Sequence, residues 1–285
     1  MNRTTLNDTV RFSGTGLFTA DPVTLTICPS HDQSGIVFCR DAIKIPVHIA
    51  NLSTIPVHQT FTQMPPRCTS ICAQSTNIAT IEHLLSALVG MGITDASIEI
   101  RSPRPHCEIP IMDGSARDFT NALEEVGVCT LESKIEPVTV TKPIIIEEND
   151  ASIIVEPSNT PSYTYIIEYP NDPIPSVAVT WTGDRTDYLT RIAPARTFCL
   201  EREAQMMQSA GLFSHLKISD LLVIGNTGPI ENTYRHEHEC ALHKLLDLIG
   251  DLALIGRPLC AKVTALKSGH STTHRAAQAI VEQLH

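Results

Sequence analysis

One segment near the C-terminal end constrains this chain more than any other. Between residues 237 and 255, ten apolar residues (Ala241, Leu242, Leu245, Leu246, Leu248, Ile249, Leu252, Ala253, Leu254 and Ile255) cover most of a helix surface. A helix apolar on most sides must be largely buried. Yet His243, Asp247 and Asp251 follow at i, i+4 and i+8 and draw one polar stripe along the rod. Buried carboxylates are costly unless they are paired or bound to a metal. A histidine and an aspartate one turn apart can reach the same ion, so the stripe reads first as a metal site. A structural His–Asp pair, or a stripe facing water, is the plainer reading of the spacing.

With 285 residues, 42% hydrophobic and 18% charged, the chain has the composition of a globular protein with an ample core. No stretch approaches the roughly 20 apolar residues of a membrane span. Met1 to Asp8 holds no apolar region of a secretory signal, and no terminal lipidation motif is present. The expected location is cytoplasmic, without stable membrane insertion. A net charge of −10 argues against a nucleic-acid partner, while leaving room for a small basic pocket that takes a phosphorylated ligand. Nine cysteines with no CxxC pair argue against a disulfide scaffold or a zinc ribbon and for free thiols.

The expected fold class is α+β, because each half reads as strands followed by helices. Strands are predicted at 23–27, 35–38, 98–100, 143–147, 151–156, 162–169 and 177–181. Helices are predicted at 81–89, 118–126, 200–210, 237–255 and 272–284. Thr80 is expected to cap the first helix and Gly90 to end it; Ser271 or Thr272 is expected to cap the last. Residues 131–143, without helical period and with prolines at 137 and 143, divide the chain into units 1–131 and 132–285. The similar order of the halves hints at a duplicated unit.

Other segments add chemistry. Glu82 and His83 sit in the first turn of the helix after Thr80, where a carboxylate suits free N–H groups and the helix dipole. His83, His243 and Asp247 would make a three-ligand set with an open fourth position, as a catalytic zinc needs, with Glu82 beside it to take a proton from water. Residues 236–240 (His-Glu-His-Glu-Cys) do not make a zincin helix, since neither histidine has another four residues on; they read as a solvated helix start. Lys267, Gly269 and His270 form a loop suited to an anion or a proton transfer, Thr197 can donate to an oxyanion, and Asp113-Gly114 reads as a turn.

Five segments together carry a resemblance over nearly the whole chain. They are TIEHLLSALVGMGI at 80–93, EIPIMDGSA at 108–116, ARTF at 195–198, HKLLDLIGDL at 243–252 and KSGH at 267–270. Their joint order resembles the UDP-3-O-acyl-N-acetylglucosamine deacetylases, zinc enzymes of lipid A synthesis. The resemblance implies two domains of similar topology, each a sheet layer packed on helices, with the active site between them. It implies one zinc on His83, His243 and Asp247, with Glu82 as general base and Thr197 holding the oxyanion. His270, oriented by Asp251, would act in its cationic form. Lys244 and Lys267 would contact the diphosphate, and Phe198 and Gly269 the sugar side. An insert at about 199–226 would bind the acyl chain, with Leu212, Phe213 and Leu221 to Ile224 as its wall. The partner is a UDP-linked acylated amino sugar, and a monomer is expected.

Two places depart from the family pattern. Phe18 and Ala20 stand in a loop that often reads GLHTG, and Ser214 to Ile218 replaces a frequent glycine pair. The competing enzyme is a zinc amidase acting on another N-acylated sugar or amide. A structural zinc protein is disfavoured, since structural sites are usually closed by four ligands.

Overall fold

The computed structural model describes residues 1–216 and 221–284. The architecture is α+β, as expected, with helices α1 (Glu82–Gly90), α2 (Arg117–Val126), α3 (Arg185–Asp187), α4 (Glu201–Ser209), α5 (Glu239–Leu252) and α6 (His270–Glu282).

The hint of duplication is realised in the sheets. In the first half, Val10–Thr15, Pro22–Pro29, Ala96–Arg101, Ile36–Arg40 and Ile43–Pro46 lie side by side in that order. In the second half, Ile144–Glu148, Ala151–Pro157, Leu259–Leu266, Ser162–Ile167 and Val177–Trp181 repeat the arrangement. In each sheet the last strand in sequence enters between the second and third, antiparallel to one and parallel to the other. A parallel neighbour needs a crossover, and helices supply it in both halves. Asn2–Leu6 pairs with Val128–Lys134 in a separate ribbon, so a strand runs through residue 131, where the sequence reading divides the chain.

α1 packs along α5, and both are buried over most of their length. Gly250 permits this approach: a Cβ there would collide with the backbone carbonyl of Glu82. The crossing therefore brings the start of α1 against the polar stripe of α5.

Helix ends differ from expectation where tertiary contacts take over. Thr80 does not cap α1; it holds the left-handed region (φ 61°) and its hydroxyl donates to Glu108 Oε1 at 2.8 Å. Gly90 does end α1 as its last residue, with Met91 at the cap position, and its missing Cβ makes room for the Tyr188 ring. α6 begins at His270 with Gly269 at its cap position, and Thr272 donates instead to Glu148. α2 ends on Gly127, at φ 76°. The nine cysteines are free thiols.

Candidate metal centre and active site

The segments that stood far apart in sequence meet at one cavity of about 300 Å³. Glu82 and His83 enter from the first turn of α1. His243, Lys244 and Asp247 come from α5, Gly269 and His270 from the start of α6, and Thr197 and Phe198 from the edge of the small sheet 198–200/222–225. Asp251 lies behind this wall.

His83 Nε2 and His243 Nε2 stand 3.6 and 3.4 Å from Asp247 Oδ1. His243 donates its Nδ1–H to the Ala195 carbonyl at 3.1 Å, which leaves Nε2 as a bare acceptor. Asp247 Oδ1 is buried without a hydrogen-bond partner among the described residues. Two acceptors facing each other in a buried pocket are unfavourable unless something positive lies between them. Ligand atoms around a tetrahedral zinc lie about 3.4 Å apart, given bond lengths of about 2.0–2.1 Å. The spacing, the orphaned oxygen and the fixed tautomer all fit such an ion on these three residues.

The electrostatics run the same way. Burial drives the His243 imidazole down to about 3, so it is neutral and able to ligate. Burial alone would raise Asp247, but the Lys244 ammonium 2.8 Å away holds its carboxyl well below the usual range. Burial pushes Glu82 up to about 7, against the pull of His270 and His83. Burial works against a charged His270, yet the Asp251 carboxylate 2.8 Å from Nδ1, with Glu82 beyond, outweighs it and raises the imidazole to about 9.

Asp251 is buried and accepts from His270 on one oxygen and from the Thr69 hydroxyl on the other. Asp251, His270 and His274 also lie close enough to one another to hold a metal. Their facing atoms are already engaged, with His274 Nε2 2.7 Å from the Thr69 hydroxyl, so this second cluster is a hydrogen-bonded network.

Not every expected residue stands at the cavity. Lys244 does, but its Nζ is paired with Asp247 Oδ2 at 2.8 Å and lies 5.9 Å from the centre of the Phe198 ring. Lys267 does not line the cavity; it turns to the surface and pairs with Asp150. Phe18, the first of the departures from the family pattern, lines it and packs against Phe61 and Phe213, so an apolar ring occupies this side of the cavity. Ala20, at φ 58°, adopts the conformation that a glycine takes more easily.

Residues 236–240 correct the sequence reading in one respect. Glu239 is not part of a solvated start. It is fully buried and binds Arg196 through both oxygens, at 2.7 and 3.0 Å. That pair clamps the ARTF segment to the start of α5 and so sets Thr197 and Phe198. Glu108 does similar work elsewhere, accepting N–H bonds from Leu17, Phe18 and Thr19. Neither glutamate nor Thr69 was singled out as a site-building residue from sequence. Glu108 lies within one of the five motif segments and Glu239 just before another, whereas nothing in the sequence marks Thr69.

Beside the cavity lies a second one of about 180 Å³, sharing Cys199, Phe213 and Leu221 with it. Leu222–Gly225 is a buried strand, and Leu212, Leu221 and Val223 join a separate apolar cluster. Lys217 and Ile218, part of the second departure, lie outside the described residues.

Two imidazoles and a carboxylate close enough together to hold a metal ion thus share one cavity of an α+β fold with a further carboxylate and an imidazole. Comparison with known proteins makes this specific. Residues 3–282 match the sequence profile of the UDP-3-O-acyl N-acetylglycosamine deacetylase family. A UDP-3-O-acyl-N-acetylglucosamine deacetylase of Leptospira biflexa is 33% identical over 292 residues, covering 100% of this chain and 91% of its own length. Proteins of the same name from Campylobacter hominis (32%, covering 99% and 92%) and Synechocystis sp. (32%, covering 98% and 98%) align as fully. The chain belongs to this deacetylase family. No helix among the described residues is long and apolar enough to cross a membrane.

Proposed function

We propose that this protein hydrolyses the N-acetyl group of UDP-3-O-acyl-N-acetylglucosamine, with one zinc ion held by His83, His243 and Asp247. The observation that carries the reading is the orphaned Asp247 Oδ1 facing the bare Nε2 of His243, beside a carboxylate whose proton affinity burial has raised. Zinc in such a set supplies Lewis acidity, polarising an amide carbonyl and acidifying water.

The chain's own groups then divide the work. Glu82 takes a proton from the attacking water, for which an affinity near neutral is well matched. As the water oxygen bonds to the acetyl carbon, the carbonyl oxygen gains charge, and the Thr197 hydroxyl at the cavity wall can donate to it. His270, cationic at neutral pH, gives its Nε2 proton to the sugar nitrogen as the C–N bond breaks, since an amine leaves poorly unprotonated. Acetate and a free 2-amino sugar result, with UDP and the acyl chain retained. Phe198 and Gly269 flank the sugar and Lys244 meets the diphosphate side. Lys267 would join it only by leaving Asp150. The smaller cavity, with Phe213, Leu221 and Val223 in its wall, takes the acyl chain, while Leu222 and Ile224 of the expected wall pack into the main core. In this reading the two repeated sheets belong to units 1–131 and 132–285, the protein works as a monomer in the cytoplasm, and the site lies between the units.

Acetate release from the N-acetylated UDP sugar by the purified protein tests the proposal. Release is expected to vanish on chelation and to return with about one equivalent of zinc. Zinc-loaded protein that releases no acetate across several acyl lengths would overturn the substrate and favour another N-acylated sugar or amide.

A further inference from the structure

We infer that Thr69 is a positioning residue that sets the general base and the acid imidazole against each other, and that His274 fixes Thr69 in turn. This rests on the deacetylase reading above and goes beyond it. Thr69 is fully buried just before the strand Ser70–Ala73, on a segment outside the recurrent motifs.

Its position is unusual in touching both halves of the proton machinery. Its backbone N–H donates to Glu82 Oε2 at 2.9 Å, leaving Oε1 toward His270, whose Nε2 is 4.0 Å away. Its hydroxyl meets Asp251 Oδ1 and His274 Nε2, from residues on α5 and α6. The directions of these bonds follow from the donors available. A carboxylate only accepts, so the single hydroxyl proton goes to Asp251 Oδ1. The Thr69 oxygen must then accept, and His274 must carry its proton on Nε2. Burial pulls the His274 imidazole down to about 4, consistent with one ring N–H. Asp251 Oδ2 is left for the Nδ1–H of His270.

Both oxygens of Asp251 are therefore assigned, one to each side, and the carboxylate cannot turn without breaking a buried bond. A fixed Asp251 holds the His270 ring with Nδ1 protonated and Nε2 toward Glu82. The same residue that fixes Asp251 through its side chain fixes Glu82 through its backbone. Proton transfer needs both groups in place together, and a supporting partner of this kind is worth about 10–100-fold in activity.

The substitution Thr69→Val keeps the size and the N–H to Glu82 but removes the hydroxyl; Thr69→Ser keeps both. With zinc-loaded protein, Thr69→Val is expected to lower kcat about 10–100-fold with little change in KM. Thr69→Ser is expected to recover most of that loss. Wild-type kcat in Thr69→Val, or equal losses in the valine and serine variants, would overturn the inference. Should the valine variant fail to fold, His274→Leu carries the same expectation, and wild-type kcat there would equally overturn it. Nitrogen-15 NMR of the histidines separates this inference from the deacetylase reading. The hydrogen-bonded Nδ1–H of His270 should persist in Thr69→Ser and be lost or displaced in Thr69→Val, whatever substrate the enzyme takes. An unchanged His270 signal in Thr69→Val would refute the positioning role even if acetate release were confirmed.

Discussion

Two glutamates, Glu108 and Glu82, are almost equally buried, at 1% and 3% exposure, yet they are treated in opposite ways. Glu108 accepts from three successive backbone N–H groups at Leu17, Phe18 and Thr19 and from the Thr80 hydroxyl. Glu82 takes one N–H, from Thr69, and otherwise faces His270 across 4.0 Å. The first is saturated and serves as a clasp. The second keeps an oxygen free at the cavity and a proton affinity raised by burial. Asp247, with its orphaned Oδ1, sits with Glu82, and Glu239, bound to Arg196, sits with Glu108. Burial alone does not separate a working carboxylate from a structural one; the supply of donors does.

Removing the charge from the unsaturated member should have the largest effect. Glu82→Gln is expected to cut acetate release by about 100- to 10,000-fold while leaving the thermal midpoint nearly unchanged, because its main hydrogen bond can be kept. A variant within tenfold of wild type would show that Glu82 is not the base, and the contrast would lose its functional half.

The saturated members should respond in stability instead. Arg196→Met leaves Glu239 buried without its cation, a change expected to destabilise the fold by about 3–5 kcal/mol in urea titrations. Glu108→Gln keeps the shape but weakens three charge-assisted bonds, for an expected loss of about 1–3 kcal/mol. Its kcat at a temperature where it is folded should stay near wild type. A kcat collapse without loss of stability in either variant would erase the distinction drawn between the two kinds of carboxylate.

The pH profile sharpens the same contrast. Glu82 must be ionised, so activity rises as pH climbs through about 7; His270 must be protonated, so activity falls as pH climbs through about 9. A cation on the neighbouring triad draws the lower limb further down, which makes the upper limb the cleaner reading. Asp251→Asn removes the leading charge that raises His270, so the upper limb should move to lower pH. A flat profile between pH 5 and 9, or an upper limb unmoved in Asp251→Asn, would break the pairing.

What the sequence made legible follows from distance along the chain. The polar stripe of α5 is local, since residues four apart share a face, and its three members emerge in a row. Strands and helices with strong period were found nearly to their ends. Pairings across the fold left no such mark. Glu239 meets Arg196 across 43 residues, and Thr69 meets Asp251 across 182. Thr80 looked like a helix cap because capping is the local use of a threonine; Glu108, brought in by the parallel neighbour strand, took its hydroxyl instead. The expectation of two domains and of the reaction came mainly from the resemblance, because neither the strand order nor a substrate has a period to read, whereas the set of His83, His243, Asp247 and Glu82 was legible from spacing as well.

The smallest effect is expected at Lys267, and it tests how far motif spacing can be trusted for a charged side chain. The KSGH segment delivers His270 to the cavity, but three residues earlier the chain passes through a left-handed turn at Lys267 (φ 51°). Its N–H is tied to the Ile166 carbonyl at 3.0 Å and its ammonium to exposed Asp150. Lys244, by contrast, stands at the cavity wall and is held protonated by Asp247 despite burial. Exposed pairs such as Lys267–Asp150 exchange readily with solvent, so Lys267→Ala should raise KM by less than about fivefold and leave kcat unchanged. A much larger rise in KM would mean that substrate draws Lys267 away from Asp150. The turn would then belong to the binding site, despite facing outward in the free protein.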